Sequence, residues 1–191
     1  MPASDRIQNT VYSHGGFQRG LSDEGRPLQQ GQSGEICVRG DIVMKGYYKE
    51  PEKTAETIVN GWLRTGDVGH VDAEGFLHIT DRKKDLIISS GFNVYPSEVE
   101  QAIWAHPAVL DCAVIGVPDA QWGEAVKAVV ELKPGASADD PTLIALCKEK
   151  LGSVKAPKSV DFVSSLPRSA VGKVLKKNLR ELYWRDNERR I

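Results

Sequence analysis

Three observations predict an α+β fold for this sequence. Between Cys112 and Val163, short apolar strand patterns alternate with longer stretches of helical spacing. A separate block with alternating residues and closely spaced turns precedes them. Prolines and glycines fall at the edges of these patterns, where a chain starts or stops an element. Three strands flanked by three helices make a compact domain of roughly 110 residues, enough to fold alone.

Residues 1–20 are polar, contain Gly and Gln, and match no element pattern, so disorder is expected there. Residues 21–81 read as β-rich. Asp23-Glu24-Gly25 is a turn signal, and Glu35-Ile36-Cys37-Val38-Arg39-Gly40 alternates as a strand that Ile42 to Tyr48 would continue. A short helix follows at Pro51–Ile58, with proline near its start. Val68–Val71 and Phe76–Thr80 then form a hairpin turned by Asp72-Ala73-Glu74-Gly75.

Residues 82–191 form the second block. Ser97-Glu98-Val99-Glu100 has the form of a capping box, opening a helix that runs to about Ala105 before Pro107. Cys112–Val117 is an apolar strand, and Val126, Ala128, Val130 and Leu132 alternate on a second. Asp140-Pro141 starts a helix with Leu143, Leu146 and Leu151 on one face. Ser159–Val163 is the third strand, and Leu175, Leu179, Leu182 and Tyr183 stripe a final helix.

Composition narrows the function classes. The chain has 191 residues, 40% hydrophobic and 27% charged, which fits a soluble globular protein. A net charge of −1 argues against a general nucleic-acid binder. Cys37, Cys112 and Cys147 are scattered with no CxxC pair, which fits buried free thiols in a reducing cytoplasm. His14, His70, His78 and His106 lack metal spacing. No apolar run reaches the ~20 residues needed to span a bilayer. A cytoplasmic location is therefore expected, with peripheral membrane contact left open.

Three motifs carry chemistry: Leu63-Arg64-Thr65-Gly66-Asp67; Asp81-Arg82-Lys83-Lys84-Asp85, running on to Ser89-Ser90-Gly91-Phe92-Asn93-Val94-Tyr95-Pro96; and Pro167-Arg168-Ser169-Ala170-Val171-Gly172-Lys173. Taken singly, each has a bland reading: a turn aspartate, an exposed charge run, a turn glycine, a solvent-facing lysine. In this order and spacing they resemble the C-terminal motifs of the adenylate-forming (AMP-binding) enzymes, and most resemble those of the long- and medium-chain fatty-acid CoA ligases. The resemblance covers about residues 21–185. The family's phosphate loop and adenine motif, which lie upstream in full-length members, are not found in this sequence.

The resemblance implies that the chain is the C-terminal part of an acyl-CoA synthetase. Residues 21–81 would then end a large N-terminal domain, and residues 82–191 would be the small C-terminal domain. It implies ATP and CoA as substrates beside a carboxylic acid, expected to be a fatty acid, with Mg2+ held by groups outside this chain. Asp67 and Arg82 would hold the ribose of ATP, since a carboxylate accepts two hydrogen bonds from a vicinal diol. Lys173 would be the lysine of adenylation, a mobile point charge between two anions. Lys84 would be the hinge, and Gly91 would line the pantetheine tunnel. A missing N-terminal polypeptide is the implied partner. The alternative is a truncated, non-catalytic module that folds and binds nucleotide or a partner weakly.

Overall fold

The computed structural model describes residues 11–13, 16–21 and 28–185, and divides into two compact units between Lys84 and Asp85. Strands of the first unit are β1 (Val11–Ser13), β2 (Gly16–Leu21), β3 (Gly34–Gly40), β4 (Ile58–Val59), β5 (Trp62–Val71) and β6 (Leu77–Arg82). Its α-helix among the described residues is α1 (Pro51–Thr57). All the pairings are antiparallel, in the order β1-β2-β3-β5-β4, with β6 also on β5. Among the described residues, Ile36, Cys37, Trp62, Val68 and Val71 are its buried apolar side chains.

The β5–β6 turn is tied by Asp72. Its Oδ1 accepts the N–H groups of Glu74 (3.0 Å) and Phe76 (2.9 Å), and its Oδ2 lies 2.6 Å from His78 Nε2. An aspartate that bonds backbone just ahead of it is the local chemistry of such a turn.

In the second unit the strands are β7 (Ile87–Ser89), β8 (Phe92–Val94), β9 (Val109–Asp119), β10 (Gly123–Leu132) and β11 (Ser159–Val163). The helices are α2 (Pro96–Trp104), α3 (Asp140–Lys155) and α4 (Lys176–Trp184). β10 is the central strand: antiparallel to β9, parallel to β11, and touching β7 through Gly123 and Ser89. The parallel pair needs a crossover, which α3 supplies. Asp139 caps α3, accepting the Thr142 N–H at 2.8 Å.

Both faces of the β9–β10 pair are covered. Val126, Ala128, Val130, Cys112 and Val114 pack with Val99, Ala102 and Ile103 of α2 and Leu143 and Cys147 of α3. On the opposite face, Ala113, Ile115 and Val129 pack with Leu166 and with Leu179 of α4. The fold class is α+β, as the pattern predicts.

Several details differ from the sequence expectations. The sheet has five strands rather than three, because the β7–β8 hairpin joins β10. Part of the stretch expected to be disordered is strand: β2 pairs with β3 from Gly16↔Gly40 to Leu21↔Glu35, satisfying backbone groups that β3 would otherwise leave open. Residues 1–10 lie outside the described residues, as does the Asp23-Glu24-Gly25 turn. Beyond Gly40 the chain turns rather than extending as a strand, with Val43 N–H donating to the Gly40 carbonyl at 3.1 Å.

The capping box does not form. Tyr95 is the N-cap of α2, without a side-chain cap, and Ser97 already lies within the first turn. Glu100 points inward instead, where its Oε1 accepts the Val114 N–H at 2.7 Å. On α3, Cys147 rather than Leu146 is fully buried beside Leu143. Leu182 leaves the α4 stripe and is 56% exposed, while Tyr183 packs inward.

Candidate functional site

In the first unit the structure gathers Asp67, Arg82 and Lys84. The register between β3 and β5 shifts so that Thr65, Gly66 and Asp67 stand opposite Ile36 alone. Thr65 Oγ1 bridges the irregularity, donating to the Ile36 carbonyl at 2.8 Å and accepting the Asp67 N–H at 3.1 Å. Asp67 is paired in register with Arg82 of β6, and Arg82 Nε lies 3.3 Å from Asp67 Oδ1. Thr65, Gly66, Asp67, Arg82, Lys83 and Lys84 line an open cleft of about 380 Å³. Lys83 Nζ reaches Glu35 Oε2 at 3.1 Å. Lys84 sits in a short 3-10 turn, Lys83–Asp85, and is the last residue of the unit. A carboxylate beside several cations suits a ligand that offers both hydroxyls and negative charge.

Gly91 lies at the tip of the β7–β8 hairpin. Ser89 pairs with Phe92, so Ser90 and Gly91 are the two turn residues. Both have positive φ, 50° and 78°, as a two-residue hairpin of the primed kind requires. A Cβ at Gly91 would meet nothing within 4 Å, so the space beside it is open and only the backbone resists a side chain. The tip is fixed behind by Ser90 N–H, which donates to the Trp122 carbonyl at 2.9 Å.

Lys173 is exposed on a second tight turn of this unit. Ser169 N–H donates to the Lys173 carbonyl at 2.8 Å, and Gly172 N–H to the Ser169 carbonyl at 2.9 Å. Lys173 N–H donates to Ser169 Oγ at 3.2 Å. An isolated bridge between Arg168 and Val174 closes the turn, and Leu175 N–H donates to the Pro167 carbonyl at 2.7 Å. Gly172 has φ +82°, which is why a glycine precedes the lysine.

Sequence reasoning missed the polar groups around this turn. Lys176 Nζ lies 2.7 Å from the buried Glu100 Oε1, tying the start of α4 to α2 and β9. An acidic residue beside Val99, Ala102 and Ile103, on the apolar side of the helix, was the available signal. Arg168 meets Asp111 Oδ2 at 2.6 Å and Glu131 Oε2 at 3.5 Å. Nothing in the local pattern announces that contact, because the partners lie far along the chain.

The cysteines are buried free thiols. Burial pushes the Cys147 thiol up to about 11 and raises Cys112 further, with Glu100 nearby adding to the effect. Both are therefore poor nucleophiles. Among the described residues no group of three His, Cys, Asp or Glu side chains is placed to hold a metal ion. No helix among them is long and apolar enough to cross a membrane.

Residues 98–173 match the family described as the AMP-binding enzyme C-terminal domain. The chain is 46% identical over 171 residues to a medium/long-chain-fatty-acid–CoA ligase of Mycobacterium tuberculosis, matching 86% of this chain and 30% of that protein. It is 48% identical over 159 residues to a feruloyl-CoA synthase of an Amycolatopsis species, matching 83% of this chain and 32% of that one. Among solved structures, ATP-bound MatB from Rhodopseudomonas palustris superposes with a TM-score of 0.86 at 41% identity, covering 96% of this chain and 37% of that one. The chain thus spans about a third of the length of the relatives it matches.

Proposed function

This chain belongs to the AMP-binding, adenylate-forming enzyme family as its C-terminal part, and we propose that it supplies that part of an ATP-dependent acid–CoA ligase. The observation that carries the reading is the Asp67–Arg82 pair in its cleft, beside the family match. In this reading Asp67 accepts hydrogen bonds from both ribose hydroxyls of ATP. Arg82 is the matching contact to the ribose, and its pairing with the Asp67 carboxylate holds the two side by side.

The reaction has two halves. A carboxylate oxygen attacks the α-phosphorus of ATP, an acyl–phosphate bond forms, and pyrophosphate leaves. A thiolate sulfur of CoA then attacks the acyl carbon, the thioester forms, and AMP leaves. Lys173 serves the first half: its ammonium offsets the repulsion between two approaching anions and the charge that develops as they meet. The open side of Gly91 lets the pantetheine chain of CoA run close to backbone in the second half. Lys84 is the hinge that brings one face of the second unit, then another, to the bound adenylate.

A fatty acid is the substrate proposed, on the likeness to the Mycobacterium tuberculosis ligase. A feruloyl-CoA synthase of similar identity suggests that the acid is chosen elsewhere in the protein.

The test is pyrophosphate exchange with ATP and a panel of fatty and aromatic acids. The 191-residue chain alone should stay at background, since the reading leaves the triphosphate and acid sites to residues outside it. Joined to the N-terminal part of the Mycobacterium tuberculosis ligase in place of that enzyme's own C-terminal part, it should restore exchange. Robust exchange by the chain alone, or a folded but silent chimera, would overturn the reading.

A further inference from the structure

We infer that Arg168 is a positioning residue for Lys173, clamping its loop to two adjacent strands through Asp111 and Glu131. The inference deepens the proposed function and rests on it.

Asp111 of β9 and Glu131 of β10 are direct cross-strand partners. Like charges placed opposite one another on a sheet repel. Arg168 answers both: Nη2 lies 2.6 Å from Asp111 Oδ2 and 3.5 Å from Glu131 Oε2. The same guanidinium reaches forward, with Nη1 donating to the Gly172 carbonyl at 3.3 Å. Gly172 is the residue before Lys173, so one planar cation links the sheet to the backbone that carries the lysine.

Both acids make further contacts that hold them still. Glu131 Oε2 accepts the Leu166 N–H at 3.1 Å, two residues before Arg168. Asp111 Oδ1 accepts from its neighbour Cys112 N–H at 2.8 Å and from Trp104 Nε1 at 3.2 Å. The anchor is thus tied on several sides, while the tip of the turn is open to solvent: Val171 is 80% exposed. A fork of donors in fixed geometry suits this double task, whereas a lysine can offer only a point charge. Misplacing a reacting group by ~1 Å can cost ~10²-fold in rate, which is the scale the clamp protects.

Two measurements decide it. The first uses the chain itself: amide hydrogen exchange at Ser169, Gly172, Lys173 and Leu175 in wild type, Arg168→Ala, Arg168→Lys and Asp111→Asn/Glu131→Gln. Exchange at these amides should quicken at least ~10-fold in Arg168→Ala and in the double variant, with the β10–β11 amides unchanged. The second uses the chimera described above. Arg168→Ala should lower adenylation kcat by roughly 10–10²-fold, leave KM for ATP within about twofold, and spare thioester formation from supplied acyl-adenylate. Arg168→Lys should recover part of the loss, and Arg168→Ala should add nothing on a Lys173→Ala background.

Unchanged loop exchange would remove the clamp. Equal loss in both half-reactions would make Arg168 a general structural residue. If the wild-type chimera folds but makes no adenylate, the ligase reading falls and the link to catalysis falls with it, while loosened exchange would still show the clamp.

Discussion

Asp67 and Arg82 face each other across β5 and β6, with Arg82 Nε 3.3 Å from Asp67 Oδ1. Arg82 is largely exposed, and an exposed ion pair contributes only about 0–1 kcal/mol to stability. In the proposed function the pair's value is orientation, since the ion pair holds the Asp67 carboxylate beside the arginine at the cleft. Asp67→Ala in the chimera should raise KM for ATP roughly 10–10²-fold, the scale of hydrogen bonds to a charged group. Arg82→Ala should act in the same direction but add less than its full effect on an Asp67→Ala background, as residues in contact do. Strictly additive effects in ATP titrations would deny that the two act as a unit.

Lys173→Ala in the chimera should lower adenylation by at least ~10²-fold, the scale for removing one preorganised electrostatic group. Thioester formation from supplied acyl-adenylate should survive. Single-turnover assays of each half separate the two, and equal damage to both would point to folding instead.

The hinge proposed at Lys84 is tested by Lys84→Pro. Proline holds φ near −65° and restricts the residue before it, so one of two backbone states should be trapped. Adenylation should persist while CoA transfer fails, since each ~1.4 kcal/mol against the second state is tenfold in its population. Wild-type rates in both halves would reduce Lys84 to a member of a surface charge run.

Glu100 is the stability test in the second unit. It is buried, accepts the Val114 N–H, and pairs with Lys176. Glu100→Ala leaves a buried N–H and a half-buried ammonium without this partner, at a cost of about 3 kcal/mol. Urea unfolding of the chain, followed by far-UV circular dichroism, should show the midpoint falling. A change below about 0.5 kcal/mol, the range of an ordinary surface substitution, would mean that water replaces the pair.

The β5–β6 turn should respond to acid. The hydrogen bond from His78 and those from Phe76 and Glu74 N–H hold the Asp72 carboxyl below its ordinary value of 3.8. A carboxyl depressed in the folded state stabilises the fold above its unfolded pKa, and that contribution is lost as pH falls through the folded pKa. Carbon NMR of the Asp72 carboxyl should therefore titrate below 3.8 in wild type, and the midpoint should rise in His78→Ala. A midpoint at or above 3.8 would show that the turn does not hold Asp72 as described.

Elements whose signals are local were legible. Asp140-Pro141 opens α3, Ser159–Val163 is β11, and Pro51 opens α1, because caps, prolines and alternation act within a few residues. The capping box failed for an equally specific reason. Ser97 and Glu100 have the right spacing, but Glu100 satisfies a strand N–H from β9, and a buried unpaired amide costs more than a lost cap. Leu182 fits the helical spacing of the α4 stripe, yet it is Leu179 and Tyr183 that pack on the sheet face and Leu182 that stays exposed.

By itself the sequence determined the α+β class, the order of most elements, and three motifs whose order and spacing resemble those of the adenylate-forming enzymes. Only the tertiary structure decided which of those residues stand together. Asp67 meets Arg82 because the β5–β6 hairpin registers them, and Arg168 meets Asp111 and Glu131 because β9 and β10 pair. Periodicity reports which face of an element is buried, since burial repeats with the backbone. It carries no record of register between strands distant along the chain, and register is what brings a guanidinium to two carboxylates.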